Sequence, residues 1–190
     1  MSYPPIILQV VLAVVAVVAA VYDVRFRRIP NWLTLSGVLL GLLLNSWFSD
    51  PRGLHWYEGF TWRTSLAGLG LGFAVYFPLY LLRGMGAGDV KLMAAVGAIV
   101  GPVNWFGIFI LSNVLGGVAA VALLLSKGRV LSTFSNLGYM LNELAHLRPP
   151  YARKEELDLK SSRAVTMPHG LAIAIGSLAF LAAAGIWAPR

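Results

Sequence analysis

Of the eight acidic residues in this chain, two abut long apolar runs. Asp23 closes "PIILQVVLAVVAVVAAVY", and Asp89 stands in "GMGAGDVKL", residues 84–92, at the mouth of another. Ionisable side chains at such positions are functional candidates by default. Two carboxyl groups held close together do not both ionise cheaply, so one retains a proton near neutral pH. That is the requirement of aspartyl proteolysis. The ionised partner takes a proton from water, and the protonated partner donates to the scissile carbonyl. The reaction needs neither a nucleophilic side chain nor a metal, which suits a chain without cysteine.

For that chemistry the two aspartates must meet, and the rest of the sequence says how. The chain has 190 residues, 58% of them hydrophobic, with a mean hydropathy of +0.73. That composition points to an integral membrane protein rather than a soluble domain. Six stretches read as membrane helices, at roughly 5–22, 32–48, 64–82, 89–101, 103–125 and 168–187. The expected fold is therefore all-α, one polytopic membrane domain over 1–190. The first ten residues, "MSYPPIILQV", carry no Lys or Arg. They lack the basic region of a secretory signal, so the first span is expected to be retained.

The net charge is +7. Of the 15 Lys and Arg residues, 12 fall in or beside 25–28, 83–91 and 127–163. Alternating loops thus differ in positive charge. This pattern reads as membrane orientation rather than nucleic-acid binding: the basic loops face the cytoplasm, and both termini and the 49–62 loop face outward. Counting crossings, Asp23 ends span one and Asp89 begins span four at the same cytoplasmic face. Span four is short: 13 residues make about 20 Å of helix, against a hydrocarbon core of about 30 Å. The bilayer thins, neighbouring helices shield the short span, or an aqueous notch reaches Asp89. Small residues four apart, Gly37 and Gly41 in span two and Gly97 and Gly101 at span four, let helices approach closely.

Other roles compete for the same residues. Asp89 could cap the helix it opens, Lys91 could snorkel to lipid phosphate or hold Asp89, and Asp23 could pair with Arg27. His55, His146 and His169 lie in different segments, with His169 at a helix start, and no metal or cofactor site is expected. The segment 127–167 is the one sizeable polar region. Val130, Phe134, Leu137, Leu141 and Leu144 recur at helical spacing, so 130–147 reads as an amphipathic helix on the cytoplasmic surface. A flexible, solvated linker follows it.

Two stretches narrow the choice. "DVRFRRIPN", Asp23 to Asn31, and "GAGDVKL", Gly86 to Leu92, resemble the two signatures of the type IV prepilin peptidases, membrane aspartyl proteases with a G-x-G-D motif. "MPHGLAIAIG", residues 167–176, is similar to a third, looser family stretch. The resemblance implies Asp23 and Asp89 as the catalytic pair, with Gly86, Gly88, Lys91, Pro30 and Asn31 as supporting motif residues. Gly86 and Gly88 also have a physical role, since glycine lets the backbone turn tightly and approach a substrate strand. The implied substrate is a prepilin-like precursor with a basic leader and a hydrophobic helix, cut at the cytoplasmic face of the inner membrane. Larger family members carry a Cys-bearing zinc segment and N-methylate their product. This chain has neither that insertion nor any Cys, so it looks like the short Tad/Flp-pilus type, and the resemblance does not carry methyl transfer to it. From the residues alone, a proton-coupled transporter using the aspartates as a relay, or a non-catalytic pilus or secretion assembly protein, stays open.

Overall fold

The computed structural model describes residues 4–47, 60–82, 85–128, 138–139 and 168–187. Five helices are described: α1 (Ile6–Phe26), α2 (Asn31–Trp47), α3 (Trp62–Leu81), α4 (Ala87–Ser126) and α5 (His169–Trp187). Among the described residues there is no strand. Each stretch expected as a membrane helix is helical. α1, α3 and α4 are long and apolar enough to cross a membrane; α2 has 17 residues, and the apolar part of α5 covers His169–Ala183. Of the expected cytoplasmic segment, 127–167, only Lys127 and Gly128, in a turn, and Gly138 and Tyr139, both helical, are described. The rest of it, and most of the 49–62 loop, lies outside the described residues.

The helix ends follow from local sequence. Pro5 precedes α1, and Gln9 Nε2 returns to Pro4 O at 2.7 Å. α1 stops at Arg27, which takes the left-handed conformation (φ 53°) and donates its N–H to Asp23 O at 2.9 Å. Pro30 then launches α2, its carbonyl accepting the Leu33 N–H at 3.2 Å. α3 opens on a reciprocal cap: Thr64 N–H donates to Thr61 Oγ1 at 3.2 Å, and Thr61 N–H to Thr64 Oγ1 at 2.9 Å.

α4 is two arms. Gly101 has φ 74° and ψ 173°, outside the helical region and open only to glycine. Beyond it, Trp105 Nε1 donates to Met93 O at 3.0 Å. In a straight helix those residues would stand about 18 Å apart, so the second arm folds back along the first. The expected turn at "GPVN" is this hairpin. Pro102 has no N–H for Ala98 O, and the break strands neighbouring carbonyls. Polar side chains replace the lost donors. Ser65 Oγ donates to Ala98 O at 2.5 Å, and Asn45 Nδ2 reaches Ala98 O and Ile99 O, each at 3.1 Å. Asn104 Nδ2 donates to Val100 O at 3.1 Å. In an apolar surround such replacement is what makes a broken helix tenable.

The first arm is the centre of the bundle. Val90 and every residue from Leu92 to Gly101 are buried. Neighbouring helices shield this short arm. Small residues allow it: Gly68 of α3 lies on the Gly97 backbone, and a Cβ at Gly41 of α2 would come 2.7 Å from Ala98 O. α5 packs on α1 and α4, with Gly176 against Ser112. The outer surface is as apolar as the core. Ile6, Val10, Val14, Val17, Val21 and Val24 of α1 are all exposed along one face. A surface of that kind belongs in lipid, and the chain is a membrane protein.

Candidate active site

Asp23 lies in the last turn of α1, 8% exposed. Its Oδ2 accepts the Leu171 N–H at 3.3 Å, from the first turn of α5. A helix N-terminus carries free N–H groups and partial positive charge, so it suits a carboxylate. Gly170 makes the approach possible: a Cβ there would come 2.9 Å from Asp23 Oδ2 and 3.0 Å from Ile29 Cδ1.

Asp89 is half-buried in the first turn of α4, three residues after the cap Gly86. Its carboxyl folds back over the start of the helix, where a Cβ at Gly86 would come 3.2 Å from Asp89 Oδ2. Asp89 thus stands in the first turn, where an acid is favoured by the free N–H groups of a helix start. That place leaves the carboxylate capacity for other work. The Asp89 carboxyl also feels the charge of Asp23. The end of α1 that carries Asp23 and the start of α4 that carries Asp89 lie at one end of the bundle, joined through Ile29 and Gly88.

The two motifs touch directly. Gly88 packs on Ile29, where a Cβ would meet Ile29 Cβ at 3.1 Å. Lys91 Nζ donates to Asn31 Oδ1 at 2.9 Å in an exposed bridge between α4 and α2. Lys91, expected to hold Asp89 or to snorkel, thus has Asn31 as its hydrogen-bond partner here. Pro30 shapes the approach to Asn31 and the start of α2.

Sequence reasoning missed two neighbours of the aspartates. Tyr76 of α3 is within electrostatic reach of Asp89, and His169 within reach of Asp23; their ring centroids are 6.3 Å apart. The signal for Tyr76 was present. It continues the stripe Thr64, Gly68, Gly72 at intervals of four, which is the buried face of α3. The signal for His169 was its place in the motif-like "MPHG".

Residues 10–121 match the Type IV leader peptidase family. Over 135 residues the chain is 31% identical to the prepilin leader peptidase/N-methyltransferase of Escherichia coli K12, covering 64% of this chain and 58% of that protein. Over 127 residues it is 29% identical to the enzyme of the same name from Xanthomonas campestris pv. campestris, covering 63% of this chain and 41% of that protein. The chain thus matches about half the length of these relatives. No solved structure matches. The matched region contains both candidate aspartates and the two motifs that pack around them, and the chain belongs to the Type IV leader peptidase family.

Proposed function

We propose that this chain is an aspartic endopeptidase that removes the leader of prepilin-like precursors, with Asp23 and Asp89 as its catalytic pair. The observation that supports the reading is the packing of the two motifs that hold these acids, 66 positions apart in the sequence, against each other through Gly88 on Ile29 and Lys91 on Asn31. Membership of a leader peptidase family gives the substrate class. In the working state one carboxyl is ionised and the other protonated. The ionised group takes a proton from water, whose oxygen attacks the scissile carbonyl carbon. The protonated group donates to the carbonyl oxygen. Collapse of the tetrahedral intermediate, with protonation of the leaving nitrogen, breaks the C–N bond.

α1, α2, α3, the two arms of α4, and α5 serve as six spans, with both termini outside. The acid pair then faces the cytoplasm, where a precursor presents its basic leader. The peptidase fits the short Tad/Flp-pilus type; methyl transfer is not part of the reading.

The test is co-expression with candidate small prepilins, followed by detection of leader loss. Asp23→Asn and Asp89→Asn should each lower cleavage about a hundredfold or more, with inserted protein at wild-type levels. Near-normal cleavage by either variant would refute the pair.

A further inference from the structure

Beside the candidate acids stand two polar groups that the fold does not use. Tyr76 is 1% exposed, and its Oη has no hydrogen-bond partner among the described residues. The Asn113 side chain lies nearby, but its Nδ2 is given to Phe109 O at 2.8 Å, and no bond of good geometry forms with the phenol. His169 Nε2 is buried and likewise without a partner. Unpaired buried polar atoms are few in native proteins, and each calls for a reason. Packing does not supply one. The Tyr76 ring meets Trp105 and Phe109 edge-on, at 6.5 and 6.0 Å, and a phenylalanine would serve there as well. The hydroxyl is what packing leaves unexplained.

Their placement suggests the use. His169 opens the helix whose next two residues pack on and bond Asp23, its ring lies 6.3 Å from that of Tyr76, and Gly72, one turn before Tyr76, packs on Met93, one turn after Asp89. A peptide entering there would bring backbone N–H and C=O groups that must be satisfied away from water. A phenol can donate to a carbonyl or accept from an N–H. Imidazole Nε2 does either, according to its tautomer.

We propose that Tyr76 Oη and His169 Nε2 form a peptide-binding pair, which takes up the backbone groups flanking the scissile bond and holds that bond against Asp23 and Asp89. The inference rests on the peptidase reading above and adds to it the groups that position the substrate.

The probe is a synthetic precursor with a short basic leader and a hydrophobic helix, presented to the full chain in liposomes. Cleavage by the wild type and its loss in Asp23→Asn establish the reading on which the pair depends. Tyr76→Phe should then lower kcat/KM about tenfold, mostly through KM, while the melting temperature stays the same or rises. A residue with a merely structural role would lose both together. His169→Phe should show a similar loss, and His169→Gln, which restores a polar nitrogen, should recover part of it. Both Phe variants cleaving within about twofold of wild type would overturn the pair while leaving the peptidase reading intact. So would losses that track a fall in melting temperature. No cleavage by the wild type across candidate precursors would overturn both.

Discussion

Lys91 Nζ donates to Asn31 Oδ1 at 2.9 Å, tying the helix that begins beside Asp89 to the one that follows Asp23. The bond is exposed, so its net worth is modest, about 1 kcal/mol. Lys91→Met and Asn31→Ala should each reduce cleavage about two- to fivefold, and the double variant should lose little more than either alone. Additive losses in steady-state rates would mean that the two act separately.

Activity should depend on pH through the acid pair as a unit. A fully protonated pair has no base, and a fully ionised pair has no acid. The cleavage rate in liposomes should therefore fall at both ends of the pH range, with the two limbs belonging to the pair and not to either residue. A flat profile from about pH 4 to 9 at saturating substrate would refute a shared-proton mechanism.

Glycine at 170 is fixed by what surrounds it. A Cβ would come 2.9 Å from Asp23 Oδ2, so Gly170→Ala should displace either the carboxyl or α5 and reduce cleavage about tenfold or more. Gly88→Ala, at 3.1 Å from Ile29 Cβ, should give a smaller loss. Gly70 and Gly117 have open space at the Cβ position, and their alanine variants should cleave at the wild-type rate. Steady-state rates of the four variants check the order.

The break in α4 depends on side chains far from the acids. Ser65→Ala removes one donor from Ala98 O, and Asn45→Leu removes donors from both Ala98 O and Ile99 O. Each should destabilise by about 1–2 kcal/mol, read as a lower melting temperature in detergent. Cleavage well below that temperature should persist.

The absence of cysteine makes sidedness easy to measure. A Ser161→Cys variant should react with an impermeant thiol reagent only from the cytoplasmic side. Labelling from outside would invert the proposed topology.

Much of the site could be read from the sequence because its parts are local. "DVRFRRIPN" and "GAGDVKL" each hold a helix boundary and a carboxyl within a few residues, and the crossing count puts both at one face. The break at Gly101 was legible for the same reason, since "GPVN" joins glycine to proline. What the sequence did not yield was long-range. Nothing near Tyr76 or His169 says that their rings approach each other across α3 and α5. For Lys91 the sequence offered lipid phosphate or Asp89, two positions away, but not Asn31, 60 positions away. Asn45 and Ser65 gave no hint of a helix break in another segment. Their roles exist only once Ala98 has lost its partner.

The bond from Leu171 N–H to Asp23 spans 148 residues, which has a consequence for biosynthesis. Both acids have left the ribosome long before α5 is made. Through that interval a nascent chain holds the complete pair of signature motifs, yet Asp23 lacks the helix end that receives it and His169 has not arrived. α5 is thus made after both motifs, and it brings the N–H that Asp23 accepts.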